Sequence, residues 1–404
     1  MYEILIAGGG FAGVWSAAAA VRTARLAGIA DGELSVTLVS DGDDLVIRPR
    51  LYEADPESKR LPLKGILGPI GVEVVAATVT DIDPAARTAR TVDAAGGTGV
   101  LRYDRLVLAT GSRVIRPSFP GDDLVHDIDT MGAAAALEAH LHRLPGAPEP
   151  GRFTAVVIGA GFTGLEIATE LVDRLRAIAA PHGLADAVRV VLVDRGETIG
   201  SGYAPDARAV IANALTALGV TQRLGVSATA VDEAGVELSD GSRVTARTVI
   251  WTAGVRASDL AADVSDRRDG LGRLVVDEFL RVPDAPGVYA AGDTGAATAE
   301  AGNPVTQSCQ HAMPMGKFAG HNAVADLLGV PLAPFRPDPY VTCLDLGSAG
   351  AVTTRGFERT LNTVGEIAKR RKLAVNEVWI YPPVDDAEEL LRQADFRVSA
   401  RRSV

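Results

Sequence analysis

The stretches GGGFAG, Gly8 to Gly13, and GAGFTG, Gly159 to Gly164, decide the fold. Each follows an apolar run, YEILIA (Tyr2–Ala7) or FTAVVI (Phe153–Ile158), and each opens a stretch whose composition suits a helix. In such a strand-turn-helix unit the first glycine, Gly8 or Gly159, permits the tight turn. The second, Gly10 or Gly161, lets the backbone approach a pyrophosphate, and the third, Gly13 or Gly164, lets the helix pack close to the strand. A helix starting near Phe11 or Phe162 then directs unpaired N–H groups and its positive dipole end at phosphates, with Ala12 or Thr163 in its first turn. One such motif marks many strand-to-helix turns, whereas two in this context point to two dinucleotides.

Composition narrows the setting. The chain has 404 residues, enough for two or three ordinary domains, and nearly half are apolar with few aromatics, which suits small-residue packing of helices on parallel sheets. A net charge of −11 argues against a nucleic-acid partner. No run approaches the roughly 20 apolar residues of a membrane-spanning helix. A strand begins within two residues of Met1, leaving no room for a signal peptide, so a cytoplasmic location is expected. The two cysteines, Cys309 and Cys343, lack metal-ligand spacing, and no metal is expected. No CxxC or CxxxxC occurs, which removes a redox-active dithiol relay between cofactor and acceptor.

Around the first motif the pattern predicts a helix from Ala12 to about Leu26 and a strand Leu34–Ser40. A ribose-binding acid belongs near the end of that strand, and Asp41, one place late, is the candidate; the alternative is a solvated turn acid among Asp41, Asp43 and Asp44. Residues 72–110 alternate as a β-meander with its turn at 94–99, and close on Ala109-Thr110-Gly111. Helices are expected over 131–144 and 162–179. The strand VRVVLV (Val188–Val193) ends at Asp194, whose carboxylate suits the 2′-hydroxyl of NADH, although Arg195 beside it could accommodate the 2′-phosphate of NADPH. Further on, VIWTAG ends at Gly254, and GVYAAGD runs into Gly292-Asp293, where a carboxylate could accept hydrogen bonds from a ribityl chain. These signals predict an α/β chain of two Rossmann-like dinucleotide-binding domains with a β-meander insertion and a small C-terminal α+β domain. The expected division is 1–118 plus 275–328, then 119–274, then 329–404.

In order, GGGFAG, ATG, GAGFTGLEIATEL, VIWTAG and VYAAGD resemble the two-dinucleotide-binding-domain flavoproteins, and within them the type II NADH dehydrogenases. The resemblance covers about residues 1–330. It implies that FAD lies on Gly8, Gly10, Phe11, Ala12 and Gly13, with Asp41 at its ribose, Val79 at its adenine, Ala109, Thr110 and Gly111 along the cavity, and Gly292 and Asp293 at its ribityl chain. It implies a nicotinamide cofactor, NADH ahead of NADPH, on Gly159, Gly161, Phe162, Thr163, Gly164, Asp194 and Gly254, and a family carboxylate at Glu166 near both rings. The bland reading of Glu166 is a helix-surface acid.

Electrons in that family pass to a quinone beside a motif AQxAxQQG. Here the segment reads CQHAMPMG, Cys309 to Gly316, so Gln310 is retained while Cys309 and Pro314 depart from the pattern. Gln310, His311 and Ala312 are expected beside FAD, with Glu166, Gln310 and Cys309 as catalytic candidates. Cys309 is either a redox thiol or a small core residue; His311 is either a donor to the flavin or a satisfied core histidine. Arg48, and Arg50 with it, either face the flavin or touch phosphate or solvent. The cluster Lys369-Arg370-Arg371-Lys372 with Trp379-Ile380-Tyr381-Pro382 is either a weak membrane-surface contact or a solvated helix face plus core aromatics.

The expected activity is hydride transfer from NADH to FAD and onward transfer to a small-molecule acceptor. Two other readings stay open: a soluble flavoenzyme acting on a small metabolite, and an NADH-responsive flavoprotein that works through a protein interaction.

Overall fold

The computed structural model describes residues 1–147 and 149–399. Tyr2–Ala7 is the central strand of a five-stranded parallel sheet, in the order Val288–Ala290, Arg105–Leu108, Tyr2–Ala7, Leu34–Ser40, Glu73–Ala76. The inner strands are mostly apolar where both faces are covered. Ile4 and Ile6 pack under the helices Phe11–Leu26 and Cys309–Leu328 on one side. Leu5 and Ala7 point the other way, toward Val79, Ile82 and Ala89 of an antiparallel meander, Thr78–Asp83, Thr88–Val92 and Thr98–Arg102.

The second motif builds the same unit again. Thr154–Ile158 is flanked by Arg189–Asp194 and Thr248–Trp251, with Thr221–Leu224 outside, and all are parallel. Ala155 and Val157 face the helix Phe162–Ala179, while Val156 and Ile158 face the meander of Ala228–Asp232, Gly235–Leu238 and Arg243–Thr245. The chain then leaves this sheet earlier than the boundary expected near 274: Ala261, Val264 and Leu274 lie in the first unit's core.

Residues beyond 329 form three antiparallel strands, Val341–Asp345, Ala351–Arg355 and Thr360–Val364, followed by the helix Gly365–Ala374. Two of these strands were expected. The third, TLNTV, carries too little apolar alternation to declare itself and is held by pairing to its neighbour. This region supplies side chains to both other cores: Leu344, Leu346 and Val352 pack with the second unit, and Phe335, Ile380 and Leu390 with the first. It therefore lies across both sheets.

The closest helix approach is between Phe11–Leu26 and Cys309–Leu328. A Cβ on Gly316 would stand 2.3 Å from Ala12 O, and one on Gly320 would stand 2.0 Å from Ser16 O. Gly320→Ala is therefore expected to destabilise the fold by about 1–3 kcal/mol through overpacking, read as a lower urea midpoint. Gly132→Ala, in the helix Met131–Arg143 with nothing within 4 Å of the new methyl, is expected to stabilise the fold by up to ~1 kcal/mol, read as a higher midpoint.

Candidate active site

Both motifs carry the same three-part geometry. Gly8 (φ +115°) and Gly159 (φ +106°) adopt turns that a side chain would strain. A Cβ on Gly13 would stand 1.8 Å from Gly8 O, and one on Gly164 would stand 1.8 Å from Gly159 O, so both helices start hard against their own turns. At Gly10 and Gly161, by contrast, nothing lies within 4 Å of a built Cβ, leaving the backbone open to a ligand. Neither helix has a side-chain cap or an acid in its first turn, so the leading N–H groups are left for an anion.

A cavity of about 1420 Å³ joins the two units. The first motif contributes Gly8, Gly10, Phe11 and Ala12 to its wall; Asp41, Val79, Ala109, Thr110, Gly111, Gly292 and Asp293 also line it. The start of the second helix enters through Phe162, Thr163 and Glu166, whereas Gly159, Gly161, Gly164, Asp194 and Gly254 lie outside this space. Asp194 instead binds its own motif: its carboxylate accepts from Ala160 N–H at 2.6 Å and Gly196 N–H at 2.7 Å. Among the described residues, Thr110 Oγ1 and Gln307 Nε2 are shut off from water without a partner, and both side chains belong to the wall. Orphaned polar atoms beside two open glycine turns fit a polar cofactor such as FAD.

Asp293 is half-buried and accepts from Ser112 Oγ at 2.6 Å; desolvation pushes its carboxyl up, against the pull of Ser112 and Arg48. Arg48 lines the cavity, donates to Ser112 Oγ at 3.0 Å, pairs with Asp129 and lies 3.7 Å from Asp293. Its guanidinium is thus fixed toward the cofactor space. Arg50 is not: it grips Glu53 and donates to Tyr381 OH at 3.0 Å.

Glu166 is no surface acid. At 3 % exposure it receives Lys372 Nζ at 2.8 Å and Asp345 N–H at 3.0 Å on the same oxygen, Oε1. Burial raises its carboxyl, with Lys372 opposing; burial alone would lower the Lys372 ammonium, and Glu166 more than reverses this. The proton affinity of each group is thus raised, that of Glu166 to about 7, and both line the cavity. Lys369 is likewise turned inward, to Asp345 at 2.6 Å, and Arg371 stacks over Trp379. Ile380 is buried and Tyr381 is bonded to Arg50, so most of the expected basic and aromatic surface patch faces inward.

Cys309 and Gln310 line the cavity, but His311 does not. One helical step turns its ring away, onto Tyr340 (5.5 Å between centroids) and Phe357, with Nδ1 accepting from Thr306 N–H at 3.0 Å. Burial lowers it to about 4, so it is a neutral core histidine outside the cavity lining. Gln310, with its amide turned to satisfy both neighbours, donates to Val341 O at 2.5 Å and accepts from Val341 N–H at 3.2 Å, tying the helix start to the C-terminal sheet. Cys309 and Cys343 are both free; burial pushes their thiols up to about 11 and about 12, which makes them poor nucleophiles at neutral pH.

Sequence reasoning missed Lys372, Asp345 and Gln307. Lys372 reads as one cation in a basic run. Its signal is the stripe Ala368, Lys372, Asn376, four residues apart on one helical face and buried along its length. Lys372→Met removes the charge that opposes the burial of Glu166. A carboxyl whose folded pKa lies above its unfolded value contributes stability that is fully present at low pH and lost as pH rises through the folded value. The variant is therefore expected to lose about 3–5 kcal/mol at about pH 8 and clearly less at about pH 6, seen as a Tm gap to the parent that widens with pH.

Comparison with known proteins agrees with this construction. Residues 2–316 match the family model described as pyridine nucleotide-disulphide oxidoreductase. A NADH dehydrogenase-like protein of Mycobacterium tuberculosis (strain CDC 1551) is 44 % identical over 404 residues, covering 99 % of this chain and 100 % of that protein. A type II NADH:quinone oxidoreductase of Staphylococcus saprophyticus is 26 % identical over 369 residues, covering 87 % and 89 %. The fold is shared with NDH2 from Plasmodium falciparum, solved in complex with NADH, at a TM-score of 0.77 and 13 % identity over 98 % of each chain. Among the described residues no helix is long and apolar enough to cross a membrane. The chain belongs to the pyridine nucleotide-disulphide oxidoreductase family, and within it is an NADH dehydrogenase-like, FAD- and NAD(P)H-dependent oxidoreductase.

Proposed function

We propose that this chain oxidises NADH and delivers the electrons to a quinone. One observation carries the reading: the start of each motif's helix opens on a single cavity whose remaining wall holds the Glu166–Lys372 pair. Bound there, FAD supplies the chemistry of taking a hydride and releasing electrons to a second substrate. In this reading the first unit, residues 1–118 with the returning segment from about 261 to 328, holds FAD, and the motif Gly159 to Gly164 holds the nicotinamide dinucleotide.

The protein's part is positioning and proton supply. The N–H groups after Gly10 hold one pyrophosphate, and those after Gly161 the other. Arg48 and Ser112 fix the carboxylate of Asp293 for hydroxyl groups of the cofactor. Asp194, held by Ala160 and Gly196, presents its charge to the adenosine ribose and favours NADH over NADPH. Lys372 Nζ, protonated and shared with Glu166, holds a proton beside the acceptor's oxygen. The walls exclude water from the reacting atoms. Peripheral membrane contact, the finer part of this reading, draws on the exposed Val364, Ile367, Leu373 and Val378 around Arg370; co-sedimentation with anionic vesicles tests it.

Anaerobic NADH is expected to bleach the visible absorbance of the bound oxidised flavin, and menadione to restore it. Bleaching without reoxidation by any quinone overturns the acceptor assignment, and absence of bleaching overturns the whole reading. Asp194→Ser is expected to lower the kcat/KM ratio of NADH to NADPH about tenfold, the loss of roughly one charge-assisted hydrogen bond.

A further inference from the structure

One residue of the cavity wall, Asn376, carries a buried acceptor with no donor among the described residues. Residues Arg371, Lys372, Val375, Asn376, Trp379 and Ile380 form one stripe of the wall, because the helix Gly365–Ala374 continues into a wider π-helical turn, Val375–Trp379. Such turns recur at functional sites. Asn376 is 3 % exposed. Its Nδ2 donates to Glu53 Oε1 at 2.9 Å and to Tyr52 OH at 3.3 Å. Glu53 is itself gripped by Arg50 and held low by that pairing against its burial, so its carboxylate offers only lone pairs. The amide of Asn376 therefore has one orientation, with its nitrogen toward Glu53. Its Oδ1 is left shut off from water with no partner among the described residues.

We propose that Asn376 Oδ1 accepts a hydrogen bond from the O–H of the reduced acceptor, making it a recognition residue for hydroquinone over quinone. The inference rests on the quinone-reductase reading above. In the reaction NADH + H⁺ + quinone → NAD⁺ + hydroquinone, two electrons and two protons together convert the two C=O groups to C–O–H, one proton to each oxygen. A quinone carbonyl facing Oδ1 sets lone pair against lone pair, whereas the O–H of the product donates to it. Lys372, one turn earlier on the same stripe, offers the complementary donor and the proton. Asn376 thus favours the acceptor only once it is reduced, a contact that grows along the reaction, and its cost is retention of the product.

The test is anaerobic inhibition of menadione reduction by the FAD-loaded protein, using menadiol and its dimethyl ether, which has the same rings without an O–H. The parent is expected to be inhibited about tenfold more tightly by menadiol than by the ether. In Asn376→Leu the two are expected to inhibit alike. A merely structural role for Asn376 would shift both inhibitors together. Equal inhibition of the parent by the two compounds overturns the proposal, and needs no variant. Loss of FAD or a shifted flavin spectrum in Asn376→Leu also overturns it, by assigning the oxygen to a flavin N–H. If the parent bleaches with NADH yet reduces no quinone, the quinone reading itself fails and the proposal falls with it.

Discussion

The 2.8 Å contact between Lys372 and Glu166 is the constraint on which the site depends. It joins the second motif's helix to the helix Gly365–Ala374 across the cavity, alongside the apolar packing of Leu344, Leu346 and Val352 on the second unit. Neither charge could be buried alone: an unpaired ion in such a site costs several kcal/mol, and the pairing offsets this only because Asp345 N–H supplies an additional bond. Around it, Asp345 receives Lys369 and Tyr52, and Tyr52 receives Asn376, so one polar network runs from the C-terminal helix to the segment beside Arg48. A network buried this fully is worth keeping only where it does chemistry or sets a unique arrangement.

The two glycine motifs supply the complementary constraint. Close contact between helix and strand at Gly13 and Gly164, and between helices at Gly316 and Gly320, removes side chains where backbone must touch backbone. The same turns leave Gly10 and Gly161 bare toward the ligand. Tight packing behind and open backbone in front follow from one spacing of glycines. This is why two units of unrelated length and connection present their helix starts to a common cavity.

Much of this is legible in the chain. The strand runs of both sheets, the helices over 11–26 and 162–179, and the meander between 78 and 102 follow from apolar period and turn residues, which are local properties. One wall of the cavity is legible too, because Gly8 to Ala12, Ala109 to Gly111 and Gly292-Asp293 sit at strand ends whose order the sheet enforces. The facing wall is not. His311 sits inside a suggestive motif, yet helical rotation turns it onto Tyr340, and Lys372 sits inside a basic run, yet faces a buried carboxylate far away in sequence.

By itself, therefore, the sequence determined what local spacing can determine: two dinucleotide-type strand-turn-helix units, the type of helix start each presents, and the absence of a short-spaced dithiol. Only the tertiary structure decided that the C-terminal segment lies across both units, that Cys309 and Cys343 are half-buried thiols with raised pKa, and that Glu166, Lys372 and Asn376 share one cavity. The physical reason is that burial and partner choice change the chemistry of an ionisable or polar side chain more than its neighbours in sequence do. A lysine in a basic run becomes a proton holder only when a carboxylate and an apolar wall close around it.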